Sequence, residues 1–310
     1  MDLPQRPFFA LGLRLLSALC FATLLMLVKY ASESGVKLPE IMFWRQAVSV
    51  PILFGYLAVT GGLHRLKTQR LAIHGRRAVL GMTNMVFNFG ATILLPLAES
   101  TVLGFTSPLF AVVLAALILR ERIGKYRWLA VVLGFLGVLV IAQPGGEPVS
   151  TLGPVSMLGI VLGLLCAFFI TVINFQIRDL GRTEEPITIA FWFAAFGTPM
   201  AAIALPWFIT PHSPEQWLLL IGIGVAGTAG QVLLAASLRF GAVASVIVMD
   251  YSQLIWATLY GWLIWDKLPP AATWLGAPLI VAAGLVIAWR EHRLGRKDAL
   301  KEDTHPELKA

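Results

Sequence analysis

Apolar runs recur along the chain from Phe9 to Trp289, separated by polar stretches of a few residues. A bilayer core of about 30 Å takes roughly 20 residues of α-helix to cross. Measured with that ruler, the pattern predicts ten membrane-spanning helices. They cover approximately Phe9–Ala31, Glu40–Thr60, Ala78–Pro96, Ser100–Leu119, Trp128–Gln143, Pro154–Ile177, Ile187–Ile209, Glu215–Phe240, Ala242–Trp265 and Ala272–Trp289. No connection is long enough to hold a soluble domain. Pro144-Gly145-Gly146 breaks the chain after the fifth segment and Gly153-Pro154 opens the sixth, which places a natural midpoint there.

The two sides of that midpoint resemble each other. Phe43-Trp-Arg-Gln-Ala-Val-Ser-Val-Pro51 in the second segment parallels Phe191-Trp-Phe-Ala-Ala-Phe-Gly-Thr-Pro199 in the seventh. Ser100, Ser107 and Leu109 match Ser245, Ser252 and Leu254 without a gap, and similar runs from Gly137 and Gly284 close each half. An odd number of crossings per half turns the second half upside down relative to the first. Inverted repeats of this kind suit a carrier whose halves rock about a shared site. The expected fold is therefore all-α and polytopic, with two inverted five-helix repeats around a central cavity. Residues 1–146 form the first, residues 147–291 the second, and residues 292–310 a charged cytoplasmic tail.

Composition strengthens this reading. Apolar residues make up 57% of the chain and charged ones 13%, about half the charged share of a soluble domain. The net charge of +7 comes from Lys and Arg clustered at Arg65–Arg77, Arg120–Arg127 and Arg290–Lys309, each beside an apolar run. That is topology-setting charge rather than a nucleic-acid surface. With the N-terminus inside, every Lys and Arg faces the cytoplasm except Lys37 and Lys267 outside and Arg14, Lys29 and Arg45 within segments. Both termini are thus expected in the cytoplasm, and the chain in a bacterial inner membrane among its lipids. Cys20 and Cys166 lie inside apolar segments, so no disulfide framework is expected. No Walker sequence, metal-ligand spacing, haem motif or nucleophile elbow occurs, and neither a cofactor nor ATP-driven chemistry is expected. The first apolar run is too long for a signal-peptide core and reads as a retained helix.

Several stretches are similar to one known family. Ala98-Glu-Ser-Thr-Val-Leu-Gly-Phe-Thr-Ser-Pro-Leu-Phe110 is followed by Leu119-Arg-Glu-Arg122. The second half carries Asp250-Tyr-Ser-Gln-Leu-Ile-Trp-Ala-Thr-Leu-Tyr-Gly-Trp-Leu263 and Leu275-Gly-Ala-Pro-Leu-Ile-Val-Ala-Ala-Gly-Leu285. On these the chain resembles an EamA-type member of the drug/metabolite transporter superfamily, from Leu11 to about Glu291. The D-Y-x-x-L form resembles the branch holding S-adenosylmethionine uptake carriers. The family often has Pro where this chain has Gln253, opposite Pro108.

Ionisable groups at membrane depth are costly, about 2.5–3.5 kcal/mol each on insertion scales, and so rank first as binding residues. Arg45 lies about 9 Å into its segment and is expected to anchor a substrate carboxylate or phosphate, or else to serve an acidic group or helix-end carbonyls. Asp250, about 12 Å deep, with Tyr251 and Gln253 beside it, is expected to meet a substrate cation or a coupling proton, or to pair permanently with Arg45 or Lys29. Lys29 lies near an outer helix end, where it binds solute or snorkels to the surface, and Arg14 is expected to snorkel to lipid phosphate. Glu99 falls at the turn between the third and fourth segments, as gate, cavity lining or loop. Glu121 and Asp266 read as helix-capping residues. Asn84 and Asn88 share one helix face; like Asn174, Gln176 and Gln231, they bind solute or join helices. Trp44, Trp192 and Trp256 are placed to stack on a flat solute or to pack helices. Gly159 and Gly163 form a close-packing GxxxG pair.

Together these readings predict a secondary transporter of a small polar organic metabolite, amino-acid-like, adenosyl or otherwise amphoteric. A proton or counter-substrate is a possible coupling partner, and the direction and oligomeric state stay open. An integral-membrane enzyme and a non-transporting scaffold are the alternatives.

Overall fold

The computed structural model describes residues 7–117, 120, 123–142, 157–240 and 248–304. Among them the chain is helical and contains no strand. The helices are α1 Pro7–Glu33, α2 Leu38–Val59, α3 Leu71–Leu94, α4 Leu97–Gly104, α5 Ser107–Leu117 and α6 Lys125–Ala142. They continue as α7 Met157–Leu180, α8 Pro186–Ala202, α9 Leu205–Phe208, α10 Pro214–Phe240, α11 Gln253–Trp265 and α12 Ala271–Thr304. Short 3₁₀ turns cover Leu63–Leu66 and Val248–Ser252.

Local chemistry explains the boundaries. Proline at the start of α2 and of α8 gives up an amide that would be unpaired there anyway. The turn after α1 runs through Gly35 at φ +100°, where a side chain would be strained. The fourth expected segment is split. Its backbone breaks at Phe105–Thr106, just before Pro108, and Thr106 Oγ1 donates to the Leu103 carbonyl at 2.6 Å. Asp266 ends α11 in the left-handed region, φ 50°, in the capping role its position suggested. The Pro144–Gly146 and Gly153-Pro154 breaks, Glu121, Ser245 and the start of the ninth segment lie outside the described residues.

Among the described residues, seven helical stretches, with α4 and α5 taken together as one, are long and apolar enough to cross a membrane. Three expected segments fall short of that measure for distinct reasons. Arg77, Asn84 and Asn88 make α3 more polar, α8 has 17 residues, and the ninth segment is only partly described. Large apolar side chains point outward along the helices, with Leu218 72% and Leu263 69% exposed. A soluble monomer does not expose apolar surface on this scale; lipid covers it.

Packing divides into two bodies. One apolar core joins α1, α2, α3, α8, α10 and one face of α11 through Leu24, Ile41, Met82, Phe193, Ile223 and Ala257. The other lies around α4, α5, α6 and α12 through Leu103, Leu109, Val131, Val138 and Ile280. Helix α7 links them. Its Gly159 and Gly163 face Leu95 and Leu103, and a Cβ at either glycine would fall within 2.8 Å of those side chains. Where α6 crosses α12, a Cβ on Gly137 would stand 2.7 Å from the Gly276 carbonyl, so the backbones touch.

Candidate functional site

A pocket of about 610 Å³, open mouth included, lies where α1, the α3–α4 junction and α11 meet. Lys29, Glu33, Leu95, Glu99, Thr258 and Trp265 contribute to its lining. Helix α3 stops at Leu94 and α4 begins at Leu97 after Pro96, which leaves the last carbonyls of α3 pointing at the pocket. Lys29 Nζ donates to the Leu95 carbonyl at 2.8 Å, with the Thr92 and Ile93 carbonyls at 3.3 and 3.4 Å. A cation at a helix C-terminus is favoured by the helix dipole, so Lys29 closes α3. At the rim, Trp265 Nε1 donates to Glu33 Oε2 at 2.5 Å.

Glu99 is fully buried in α4 rather than in a turn. Thr273 Oγ1 donates to its Oε1 at 3.0 Å, while Oε2 is buried with no hydrogen-bond partner. A buried carboxyl oxygen left unpaired is costly, and a cationic or donor group in the pocket would satisfy it.

An ion pair stands at the other end of the α1–α11 seam. Arg14 Nε and Nη2 donate to the two carboxylate oxygens of Asp250, each at 2.5 Å. Arg14 is 6% exposed and held in a bidentate pair, so it does not reach for lipid phosphate. The partner of Asp250 is thus Arg14, not Arg45 or Lys29. Arg14 and Lys29 stand fifteen residues apart on α1, about 22 Å along the axis. Between these ends, Thr23 Oγ1 and Tyr260 Oη share a hydrogen bond of 2.8 Å across the seam. Tyr251 packs edge-on against Phe105, and Gln253 opens α11 half-buried.

The remaining candidates lie elsewhere. Arg45 sits between α2, α8 and α10, where its Nη1 donates to Gln46 Oε1. Arg77, counted above with the cytoplasmic charges, is instead buried at 8% exposure beside it. Sequence reasoning passed over Arg77 because it stands one residue from Arg76 at the end of a basic run. Asn84 Oδ1 is buried without a hydrogen-bond partner, and the Asn88 carbonyl accepts from Thr92 Oγ1. Trp192 Nε1 donates to the Leu66 carbonyl at 3.1 Å, and its ring packs on Phe196. The structure therefore brings Lys29 and Glu99 together, and Asp250 and Tyr251 together at the opposite end. Arg45, Asn84, Asn88 and Trp192 do not line the pocket.

Residues 8–143 and 157–289 each match the EamA-like transporter family. A riboflavin transporter of Vibrio cholerae is 28% identical over 301 residues, covering 96% of this chain and 99% of that one. The pseudopaline exporter CntI of Pseudomonas aeruginosa is 31% identical over 279 residues, covering 89% and 94%. An S-adenosylmethionine uptake transporter of Rickettsia prowazekii is 29% identical over 262 residues, covering 82% and 84%. A protein crystal structure with 19% identity aligns with a TM-score of 0.59, over 88% of this chain and 96% of that one, which shows a shared fold.

Proposed function

The chain belongs to the EamA-like transporter family and is a membrane transporter of a small metabolite. From that premise we propose that it moves its solute by alternating access along the seam between α1 and α11. One observation carries this reading: the seam holds a pocket at the Lys29–Glu99 end and is bridged by the Arg14–Asp250 ion pair at the other. A carrier caught open to one side has that form. Opening the far side requires the ion pair to part, which a solute cation, a proton on Asp250 or an anionic group on Arg14 would assist.

The solute is a polar organic compound with a cationic or donor group for Glu99, such as an amino-acid-like or adenosyl compound. The names of the relatives include an exporter and an uptake transporter, so the direction of flux is this chain's own property.

The architecture proposed is ten transmembrane helices in two inverted five-helix repeats, residues 1–146 and 147–291, with residues 292–310 as a cytoplasmic tail. Both termini face the cytoplasm of a bacterial inner membrane. A pair of matching contacts supports the inversion. In the repeat alignment Glu40 corresponds to Thr188, and Trp44 to Trp192. Thr188 Oγ1 donates to the Arg65 carbonyl in the α2–α3 connection, and Glu40 Oε1 meets His212 Nε2 in the α9–α10 connection.

The test is uptake and counterflow in proteoliposomes with a panel of labelled amphoteric metabolites. Saturable uptake that Glu99→Gln slows at least tenfold is the expected outcome. Wild-type vesicles no more permeable than protein-free ones to every member would exclude transport of this class.

A further inference from the structure

Two arginines are buried in the bundle without an acid between them. Arg45 of α2 is 5% exposed and Arg77 of α3 is 8% exposed. Among the described residues neither forms a salt bridge. Arg77 Nε and Nη1 are buried with no hydrogen-bond partner, and the hydrogen bond Arg45 does make, to Gln46 Oε1, is to a neutral group. Both guanidinium groups contact the ring of Phe193 in α8, Arg77 at 4.5 Å from its centroid and Arg45 at 5.7 Å. Cation–π contact offsets part of the desolvation cost and none of the charge. The neighbouring carboxylate, Glu184, is taken up elsewhere, accepting from Thr68 Oγ1 at 2.5 Å and facing His74 at 3.9 Å.

The surrounding helices make room for these side chains. A Cβ on Gly81 would stand 2.5 Å from the Phe193 ring and 2.9 Å from Arg77 Nη1. One on Gly227 would stand 3.2 Å from Arg45 Nε, and one on Gly197 2.5 Å from Gln46 Nε2. Helices α3, α10 and α8 thus present glycine at the places where the arginine cluster lies. A scaffold that accommodates two uncompensated cations lacks their counter-charge.

We propose that Arg45 and Arg77, flanking Phe193, form an anion site for a carboxylate or phosphate oxyanion, separate from the Lys29–Glu99 pocket. Planar guanidinium forks suit oxygen pairs, and an oxyanion that accepts from the free Nε and Nη1 of Arg77 and lies beside Arg45 would satisfy those donors and offset the paired positive charge. The site lies among α2, α3, α8 and α10, away from α11, so it stands whichever solute the seam carries. The oxyanion is either free or borne by the cargo, and the two leave different marks.

The experiment is thermal unfolding of the full chain in detergent, titrated with acetate or inorganic phosphate while chloride holds the ionic strength. A saturable rise in Tm is expected for the wild type, and a rise reduced at least fivefold for Arg77→Gln and Arg45→Gln. Arg45→Lys and Arg77→Lys, which keep the charge and lose the fork, should need several-fold more oxyanion; they carry the test if the Gln variants do not fold. Labelled phosphate taken up by proteoliposomes would mark the oxyanion as cargo, and stabilisation without uptake would mark it as a resident ion; both support the site. A wild-type Tm indifferent to both oxyanions, or an equal rise in all four variants, overturns it. The Tm measurement does not use transport of the seam's solute, so failure here is separable from failure of the alternating-access proposal.

Discussion

Arg14 and Asp250 show how one contact decides a role at the residue scale. The two are 236 positions apart, and their bidentate geometry depends on α1 lying against the 3₁₀ turn before α11. Depth and charge made Asp250 legible in the sequence as a candidate. Its partner was not, because pairing across the fold leaves no periodic trace. Removing either member strands the other, at a cost of about 1–3 kcal/mol once the partial exposure of Asp250 is discounted. Arg14→Gln and Asp250→Asn should therefore each lower stability by about that amount, and the double variant should recover most of it. Equilibrium unfolding of the four proteins measures the coupling. If the pair also gates the seam, the double variant regains stability without regaining transport. Full recovery of both would make it a structural pair.

At the scale of elements, the pattern of apolar runs agrees with helix in each expected segment as far as the residues are described, within a few residues at most of the described ends. It could not place the breaks inside the fourth segment, where Pro108 and the Thr106 hydroxyl decide the geometry. Nor could it show that the carbonyls ending α3 need a cation, since the lysine comes from α1. Lys29→Met keeps much of the side-chain volume and deletes that cation. It should destabilise the α3 terminus by about 1–2 kcal/mol and raise amide exchange selectively around Leu95. Exchange unchanged there would mean that water or another group replaces the lysine. The α6–α12 crossing gives a sharper case. Gly137→Ala puts a methyl 2.7 Å from the Gly276 carbonyl, which is backbone and cannot rotate away. A loss of about 1–3 kcal/mol is expected, read as a lower unfolding midpoint. Gly104→Ala, where a Cβ meets open space, is the control and should change little.

The whole molecule is held together at two opposite faces. Beside Arg65 and Arg70, the α2–α3 connection is tied to the α7–α8 connection. Arg70 Nη2 meets Asp179 Oδ2 at 2.5 Å, Thr68 Oγ1 donates to Glu184 Oε1 at 2.5 Å, and Arg65 Nη1 meets Glu185 Oε2 at 3.3 Å. At the other face His212 holds Glu40, and Gln216 Nε2 donates to the Ser34 carbonyl at 2.8 Å. Exposed ion pairs such as Arg65–Glu185 contribute little stability, so the two ion pairs at this face can part cheaply, while the buried Glu184 carboxylate is the firmer tie. The proposed topology puts the fastening at the Arg65 face on the cytoplasmic side, and in the cycle it must either open or stay fixed while α1 and α11 move. Reporter fusions at Gly62 and Ala310 should behave as cytoplasmic and one at Gly145 as external; an external signal from Ala310 would sink the even span count. Thr68→Cys with Glu184→Cys, in a chain lacking Cys20 and Cys166, then tests the fastening itself. Joining the two thiols with a short bifunctional reagent should arrest counterflow if this face opens, and a cleavable reagent should restore it. Counterflow that survives complete crosslinking would assign the moving contact to Arg14–Asp250 alone, with the α2–α3 and α7–α8 connections as fixed frame.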